Sequence, residues 1–305
     1  MASERFVVIG AGHAGGRAVE AMRNAGFEGE IVLIGDEPHL PYERPPLSKE
    51  VLQAKPDYEF SFIRPREYFD EQNIELMIGV SASAIDPAAK TVSLANGQTV
   101  SYDKLLLTTG GRVRKLPIPG SELTGTHYLR TLDDANALES ALGEDANLVV
   151  VGGGFIGLEV AASARQRGCA VTVLEIADRL MGRSVPPSVS SYFFDLHRGN
   201  GVDIRLSSGI ERIEGTDTVS GVTTRYGELL TAGAVVIGVG IIPDTGLAED
   251  AGLNVEDGIV VDEYCRTSAP DIYAAGDVTR HYNTYARKGI RLEAWQCAQN
   301  MAIAA

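Results

Sequence analysis

The sequence has 305 residues, of which 44% are hydrophobic and 22% charged, with a formal net charge of −14 at pH 7. The length suffices for two domains of ordinary size, and the acidic balance argues against non-specific nucleic-acid binding, which needs a basic surface. No apolar run approaches the roughly 20 residues of a membrane-spanning helix, and the N-terminus lacks a signal-peptide pattern. The three cysteines form no C-x-x-C pair and no metal-ligand spacing, so we expect a cytoplasmic protein without a metal site.

The first part of the chain alternates short apolar runs with helix-like segments. Continuous apolar runs suit parallel strands that are covered on both faces. On this basis we predict a helix at 14–25 and strands at 6–10, 31–35, 74–80 and 102–111.

Two segments of this first part depart from the pattern. Residues 40–49 contain three prolines, which predict a rigid loop that opens a short helix near Ser48. Residues 91–101 predict a β-hairpin, and the pair Asn96-Gly97 within it predicts a type I′ turn.

The second part of the chain repeats the opening of the first. The proline-rich segment 116–121 marks a domain boundary, after which a strand starts at 148. The two halves therefore form a repeat at the scale of a domain. After this boundary we predict strands at 148–151, 170–175, 234–240, 258–262 and 271–275, strands and hairpins within 202–231, and helices at 155–167, 185–199 and the chain end.

Each half carries the glycine pattern G-x-G-x-x-G directly after its first strand. The first glycine of each copy permits a tight turn, the second lets the backbone approach a pyrophosphate, and the third lets the helix pack on the strand. The helix that follows offers free N–H groups to the anion. The glycines are Gly10, Gly12 and Gly15 in the first copy and Gly152, Gly154 and Gly157 in the second.

An acidic residue ends the next predicted strand in each half. These residues are Asp36 and Glu175. A carboxylate in this place accepts hydrogen bonds from a ribose hydroxyl of a dinucleotide. The alternative is that both acids only terminate strands, but the recurrence of glycines and acid together favours two dinucleotide sites.

Several further strings carry a resemblance to a known family. In order they are YERPPLSK (42–49), TTGG (108–111), YLRTL (128–132), GGGFIGLE (152–159), GVG (238–240), AGD (275–277) and EAW (293–295). Together with the first glycine pattern they resemble the FAD- and NADH-dependent ferredoxin reductases of bacterial oxygenase systems, a group that includes putidaredoxin and rubredoxin reductases. The string RPPLSK is the most selective of them, and the resemblance covers essentially the whole chain.

The resemblance implies an α/β fold of glutathione-reductase type, with two Rossmann-like dinucleotide-binding domains. The implied FAD-binding domain comprises 1–114 and 246–305, and the NAD-binding domain, 115–245, is inserted into it. Chains of this family continue into a third, C-terminal domain that this sequence does not include. That domain helps to form the surface for the electron acceptor.

The resemblance also implies the residues of the FAD site. Gly10, Gly12, Ala14 and Gly15 are expected at the pyrophosphate and Asp36 at the adenosine ribose. Trp295 is expected beside the flavin, with a plain core aromatic as the alternative. The remaining implied FAD contacts are His13, Arg44, Lys49, Ala82, Arg130, Gly276 and Asp277. The alternative for Arg130 is a surface arginine, and the alternative for Ala82 is an ordinary loop alanine.

The second site is expected to hold NADH. Glu175 would accept both ribose hydroxyls and repel a 2′-phosphate, which favours NADH over NADPH. Arg179 and Arg183 nearby leave open that a phosphate is accommodated instead. The implied NADH contacts are Gly152, Gly154, Ile156, Gly157, Glu159, Glu175, Arg183 and Gly240.

By the resemblance, Lys49 and Glu159 are expected to take part in the transfer of electrons from NADH to the flavin. An ammonium near the flavin N5 and O4 atoms would stabilise the charge of the reduced flavin. Glu159 would pair with this lysine and contact the nicotinamide amide. The alternatives are a solvated lysine and an ordinary glutamate on a helix face.

The positions of the cysteines bear on the class of reaction. No cysteine lies near 45–49, where relatives with this fold carry a redox thiol, so electrons are expected to leave from the flavin. We therefore predict hydride transfer from NADH to FAD and single-electron transfer to a ferredoxin- or rubredoxin-type protein. The alternatives are an NADH oxidase and a redox-sensing protein similar to apoptosis-inducing factor.

Eight basic residues are candidates for contact with an acidic ferredoxin. The alternative is that they are only solvated surface charges. They are Arg64, Arg66, Arg112, Arg114, Lys115, Arg287, Lys288 and Arg291.

Overall fold

The structure is a computed structural model that describes residues 4–54, 60 and 62–305. The chain forms two compact units. Unit 1 comprises the described residues of Met1–Glu43, Ser61–Arg112 and Ile242–Ala305, and unit 2 those of Arg44–Phe60 and Val113–Ile241. Residues 44–60 thus group with unit 2, and the assignment of one cofactor to each predicted domain stays a prediction.

The strands are numbered in chain order. They are β1 (Arg5–Ile9), β2 (Glu30–Gly35), β3 (Ile74–Ile78), β4 (Ala82–Asp86), β5 (Thr91–Leu94), β6 (Thr99–Ser101), β7 (Lys104–Leu107), β8 (Gly111–Val113), β9 (Thr126–His127), β10 (Asn147–Val151), β11 (Ala170–Leu174), β12 (Asp203–Arg205), β13 (Ile210–Gly215), β14 (Val219–Thr224), β15 (Leu229–Thr231), β16 (Ala234–Ile237), β17 (Ile241–Pro243), β18 (Ile259–Val261), β19 (Ile272–Ala274), β20 (Thr279–Asn283) and β21 (Lys288–Ile290).

The helices are numbered in the same way. Across the described ranges, no helix is long and apolar enough to cross a membrane. A 3₁₀ turn at Pro45–Ser48 precedes α2, which confirms the short helix predicted near Ser48. The helices are α1 (His13–Asn24), α2 (Glu50–Gln53), α3 (Arg66–Glu71), α4 (Leu132–Ala141), α5 (Phe155–Gln166), α6 (Pro187–Gly199), α7 (Gly246–Asp250) and α8 (Trp295–Ala304).

Unit 1 is built on a five-stranded parallel sheet in the order β19-β7-β1-β2-β3. Successive side chains of β1 point to opposite faces, and both faces are buried, which explains its continuous apolar run. Val8 packs on one face with residues of α1 and α8. Val7 and Ile9 pack on the other face with β5 of the antiparallel sheet β4-β5-β6.

Unit 2 has a second five-stranded parallel sheet, in the order β12-β11-β10-β16-β9. Its central strand β10 is again buried on both faces. Val150 packs with α5 and with Leu52 of α2, whereas Val149 packs with the antiparallel sheet β13-β14-β15. In each unit the central strand leads through the glycine pattern into a helix, so the strands and helices predicted around both patterns are confirmed.

The hairpin at 91–101 is confirmed, but the predicted type I′ turn is wrong. Its turn is closed by the Gly97 N–H, which donates to Leu94 O at 3.0 Å, one residue earlier than a turn centred on Asn96-Gly97 would require. Gly97 has a φ of +87°. Gln98 N–H donates to the Asn96 side chain at 3.0 Å, so the asparagine caps the loop by its side chain instead of entering the left-handed region.

Candidate functional site

The glycine turn of unit 1 is fixed by close packing of backbone atoms. Gly10 has a φ of +109°, and a Cβ on it would lie 2.3 Å from Thr108 O. A Cβ on Gly15 would lie 1.9 Å from Gly10 O. Thr108 also donates its hydroxyl to Gly10 O at 2.8 Å, a contact that the sequence analysis did not assign. The first and third glycines are therefore required by the protein itself.

The N-terminus of α1 is prepared to receive an anion. Gly12 is its N-cap, no side chain of the described residues caps the helix, and its first turn has no acidic residue. The N–H groups of this turn are the donors that a helix N-terminus presents to a phosphate. This uncapped end, together with the absence of a Cβ at Gly12, fits the pyrophosphate of FAD.

Other predicted FAD contacts surround the same helix end. Gly276 has a φ of +84° and lies close to the start of α1, since a Cβ built on it would be 3.2 Å from Cβ of Ala14. Asp277 follows it in the chain. The imidazole of His13 stacks on the Trp295 indole, with ring centroids 5.0 Å apart. The structure thus gathers residues from α1, α8 and the end of β19 at one place.

Asp36 lies at the end of β2, close to the same turn. A Cβ on Gly35, the residue before it, would lie 2.4 Å from Cβ of Ala11 in the glycine turn. Asp36 is exposed, and one carboxylate oxygen accepts a hydrogen bond from Glu37 N–H at 3.0 Å. Its place at the strand end suits a ribose contact, which stays a prediction.

Three other predicted FAD contacts lie elsewhere in the described chain. Ala82 belongs to β4 and packs with the core on the sheet face opposite to α1. Arg44 and Arg130 belong to unit 2, where the Arg44 guanidinium donates to Arg130 O. The contacts of these three residues with FAD stay predictions.

The glycine turn of unit 2 repeats the geometry of the first. Gly152 has a φ of +111°, and its Cβ would lie 2.4 Å from Gly238 O. A Cβ on Gly157 would lie 2.0 Å from Gly152 O. Gly154 is the N-cap of α5, and no atom of the described residues lies within 4 Å of the place where its Cβ would be. Packing inside the protein thus explains the first and third glycines but not the second.

Glu175 is anchored beside this turn. One carboxylate oxygen accepts from Gly153 N–H at 2.7 Å and the other from Ala177 N–H at 2.8 Å. Two backbone donors fix the side chain at the end of β11, in the place where a ribose carboxylate is expected. Ile156 in the first turn of α5 is 46% exposed, which leaves it accessible to a ligand at the helix end.

Arg179 and Arg183, the two arginines that could accommodate a phosphate, differ in their contacts. The Arg179 guanidinium donates to Val185 O at 2.8 Å and to Gly182 O, so it is committed to its own loop. Arg183 is exposed, and its Nη2 atom would lie 3.9 Å from a Cβ on Gly240. Arg183 and Gly240 therefore lie close together, whereas the Arg179 guanidinium is bound to the carbonyls of its own loop.

Lys49 and Glu159 form the ion pair that the resemblance implied. Lys49 Nζ lies 2.8 Å from Glu159 Oε2 and donates to Pro45 O at 3.1 Å. Both side chains belong to unit 2 and are about one third exposed, at 39% and 32%. The pair therefore combines a fixed ammonium with access from solvent.

Two serines that the sequence analysis missed hold this pair in place. The Ser48 hydroxyl donates to Glu159 Oε2 at 2.5 Å, and the Ser163 hydroxyl donates to Ser48 O at 2.8 Å. Ser48 and Ser163 are 2% and 1% exposed. Glu159 and Ser163 lie one turn apart on α5, so two residues of one helix face bind the 3₁₀ turn. Both bonds to Glu159 use Oε2, which leaves Oε1 without a donor among the described residues.

Replacing Ser48 by alanine is expected to slow reduction of the bound flavin by NADH by about tenfold or more, because a hydrogen bond to a charged carboxylate contributes roughly 1.5–3 kcal/mol. Stopped-flow absorbance would measure the rate. Ser190→Ala is the matched control, since Ser190 is also buried, at 3% exposed, but lies on α6. Ser48→Thr keeps a hydroxyl and should recover most of the rate. Equal rates for Ser48→Ala and Ser190→Ala would contradict a role for Ser48 in orienting Glu159.

A groove runs along α5 and α6 in unit 2, with a volume of about 760 Å³. Glu159 lines it together with Phe155, whose ring is 53% exposed directly after the glycine turn. The groove therefore offers an apolar surface next to the carboxylate that is predicted to bind the nicotinamide amide. Its other lining residues are Leu158, Ala162, Arg165, Gln166, Met181, Phe193, Leu196, His197 and Asn200.

The three cysteines are free and do not form a redox pair. Cys169 is fully buried and contacts Gly143 O at 3.3 Å. Burial raises the pKa of the Cys265 thiol to about 11, and burial likewise raises the pKa of Cys297. A thiol with a raised pKa carries little thiolate at neutral pH, so neither cysteine is suited to disulfide chemistry.

Half of the basic residues considered for ferredoxin docking form ion pairs with neighbouring acids. Arg112 pairs with Asp244 at 2.8 Å, and Arg66 pairs with Asp70 at 3.4 Å. Arg64 and Arg291 also pair with acids of unit 1. These pairs reduce the positive charge that the residues present, so docking by this set stays a prediction.

Comparison with known proteins gives a consistent set of matches. The family model described as pyridine nucleotide-disulphide oxidoreductase matches residues 4–302. Rhodocoxin reductase of Rhodococcus erythropolis is 46% identical over 299 residues, covering 97% of this chain and 70% of the relative. The ferredoxin–NAD(+) reductase component of the anthranilate 1,2-dioxygenase system of Burkholderia cepacia is 42% identical, covering 100% of this chain and 75% of the relative. The crystal structure of the covalent putidaredoxin reductase–putidaredoxin complex matches with a TM-score of 0.96 at 38% identity, covering 100% of this chain and 74% of that one.

Proposed function

The chain belongs to the pyridine nucleotide-disulphide oxidoreductase family, and we propose that within it the protein is an NADH-dependent reductase of ferredoxin- or rubredoxin-type electron carriers. Family membership confirms the predicted α/β fold with two Rossmann-type dinucleotide-binding domains and the predicted cofactors, FAD and NADH. The acceptor is proposed from the relatives, which are named as rhodocoxin, putidaredoxin and ferredoxin reductases.

One observation carries the choice of reaction within the family. Lys49, the last residue of the string RPPLSK, pairs with Glu159 at 2.8 Å, and this string contains no cysteine. The cysteines that the chain does have are free, and two of them have raised pKa values. Electrons therefore pass from the flavin to an external acceptor instead of through a protein disulfide.

Each part of the chain has a defined task in this proposal. FAD, when bound, supplies the chemistry that links a hydride donor to single-electron acceptors. The end of α1 binds its pyrophosphate, and the end of α5 binds that of NADH. Glu159 offers its Oε1 atom to the nicotinamide amide, since Oε2 is occupied by Ser48 and Lys49. The Lys49 ammonium stabilises the negative charge of the reduced flavin.

The proposal is tested by an anaerobic absorbance spectrum of the purified protein, taken before and after stoichiometric NADH is added. Flavin bands that bleach, followed by reduction of a ferredoxin or rubredoxin, would support it. A chain that is colourless even after FAD is added would refute it. Bleached bands that recover only with oxygen would indicate an NADH oxidase. A long-lived reduced complex that ignores every carrier would indicate a redox sensor.

We also infer that the protein is cytoplasmic. Its three cysteines all lie in the described part of the chain and are free. Free buried thiols persist in a reducing compartment, which is the ordinary condition of the cytoplasm. Fractionation of cells that produce the chain would test this location.

Glu175→Ala is expected to narrow the preference for NADH over NADPH by about tenfold or more, since a hydrogen bond to a charged group contributes roughly 1.5–3 kcal/mol. The carboxylate is fixed by two backbone donors, so its removal takes away both the ribose acceptor and the repulsion of a 2′-phosphate. The ratio of the kcat/KM values for the two nucleotides measures the effect. Asp178→Ala removes an exposed acid from the same loop and is the matched control. An unchanged ratio for Glu175→Ala would remove this residue from the ribose site.

A further inference from the structure

His13 is a buried polar side chain whose ring nitrogens have no hydrogen-bond partner in the part of the chain that the structure describes. It is the first residue of α1 and is 8% exposed. Neither Nδ1 nor Nε2 has a partner among the described residues. Buried polar atoms in native proteins are nearly always paired, so an unpaired imidazole calls for a ligand that supplies the missing partner. Because His13 lies at the uncapped N-terminus of α1, we take that ligand to be the group bound at this helix end.

The imidazole is held in one orientation by its neighbours. Its ring stacks on the indole of Trp295, with an interplanar angle of 26°. Trp295 starts α8, and α8 packs along α1, so the stack joins two helices of unit 1. A ring fixed in this way offers a nitrogen at a set place, with little entropy left to lose when a ligand binds.

The charged groups around His13 largely neutralise one another. Arg17 on α1 binds Glu43 at 3.1 Å and Glu20 at 3.0 Å, and Arg64 also binds Glu20. These two arginines and two glutamates have no net charge together. Nearby in sequence to the elements that pack on His13 are also Asp277, which follows Gly276, and Glu293, two residues before Trp295. Helix α8 itself carries the Cys297 thiol, whose pKa is raised by burial, so it is uncharged at neutral pH.

We propose that His13 is the proton-linked hydrogen-bond donor of the FAD site, oriented by Trp295 and directed at the pyrophosphate. This inference rests on the proposed function, because it takes FAD as the occupant of the α1 end. It assigns His13 a role beyond contact: the imidazole gains a proton when the dianionic pyrophosphate is bound beside it.

The direction of the pH effect follows from the surroundings. Burial lowers the pKa of His13, Glu43 raises it and Arg17 lowers it, with a net decrease. Without FAD the imidazole is therefore neutral at pH 7. An adjacent anion favours the charged form and raises the pKa, so binding takes up a proton. FAD affinity should then rise as the pH falls through the raised pKa, and level off below the lowered one.

The test is equilibrium dialysis of the FAD-containing protein, with bound flavin measured by absorbance over about two pH units on either side of roughly 6.5, the ordinary imidazole pKa. For the wild type we expect the Kd of FAD to rise with pH, by up to about tenfold per unit within the window. His13→Gln keeps a donor but cannot take up a proton, so its Kd should vary much less. His13→Asn is a second variant of the same kind. His197→Gln is the matched control, because His197 is also 8% exposed and burial also lowers its pKa, but it lies on α6 of unit 2.

The outcomes separate the inference from the function on which it rests. A pH dependence that is present in the wild type and in His197→Gln but lost in the His13 variants supports the inference. FAD binding with a flat wild-type profile, or with the same profile in the His13 variants, overturns the inference alone. A chain that binds no FAD at any pH, even when FAD is added, overturns the proposed function and the inference together.

Discussion

Lys49→Met is expected to slow reduction of the bound flavin by NADH by about a hundredfold, the cost typical of removing a preorganised group that faces developing charge. Methionine keeps the length and apolar character of the side chain and removes the ammonium. Among the described residues it also leaves Glu159 with one donor, Ser48, and the carboxylate charge is no longer neutralised by Lys49. The charge that would stabilise the reduced flavin is then replaced by one that opposes it.

Two measurements separate this role from a structural one. Single-turnover stopped-flow experiments give the rate of reduction, and equilibrium with a reference dye gives the flavin potential, which should fall. Lys90→Met is the matched control, since Lys90 is similarly exposed, at 44%, and is paired with Asp271 at 2.7 Å in unit 1. Wild-type rate and potential in Lys49→Met would make the ion pair irrelevant to the chemistry. Equal losses in both lysine variants would point to general destabilisation.

The two nucleotide turns could be predicted from the sequence because each of their requirements is local. A strand, three glycines and a helix start lie within some eleven residues, and the geometry explains why: Gly10 and Gly152 take φ values of +109° and +111°. The same turns need a carbonyl neighbour from another strand, Thr108 or Gly238, which spacing alone does not reveal. The glycine pattern therefore predicts the turn, whereas the carbonyl oxygens that make glycine necessary are known only from the structure.

The arrangement around Glu159 could not be predicted in the same way. Ser48 and Glu159 are separated by 111 positions, and nothing in either local sequence indicates that the hydroxyl meets the carboxylate. The resemblance assigns a role to Lys49 in the string RPPLSK, whereas Ser48 of the same string binds the same Glu159 Oε2 atom. The unpaired state of His13 was equally hidden, because the satisfaction of a buried atom depends on every element packed around it.

Helix α4 differs from these sites, because the residues that start it lie close to one another in the sequence. Thr131 and Asp134 form a capping box, in which the Thr131 hydroxyl accepts from Asp134 N–H at 3.1 Å and the Asp134 carboxylate accepts from Thr131 N–H at 2.9 Å. The usual pattern has glutamate or glutamine in the second place. Aspartate serves the same purpose here, and a broader form of the pattern would have predicted the helix.

Gly154→Ala tests the second site most directly, because it separates binding from folding. Gly154 has a φ of −83° and a ψ of −175°, which alanine adopts readily. Within the described ranges, no protein atom lies within 4 Å of the new methyl group. The free energy of unfolding should therefore stay within about 0.5 kcal/mol of the wild type. If the pyrophosphate of NADH lies against this N-cap, the methyl group blocks its approach, and the KM for NADH should rise by at least about tenfold.

Two further glycine variants show what each result means. Gly233→Ala also meets no atom within 4 Å but lies away from the turn, so it should change neither Tm nor KM. Gly152→Ala places a methyl group 2.4 Å from Gly238 O at a φ of +111°, so it should lower Tm and weaken NADH binding together. A loss of NADH binding at an unchanged Tm is therefore specific to a residue that faces the nucleotide and nothing else. If Gly154→Ala binds NADH as the wild type does, the pyrophosphate does not lie at the end of α5. The two glycine turns would then share their backbone fold but not a nucleotide-binding role.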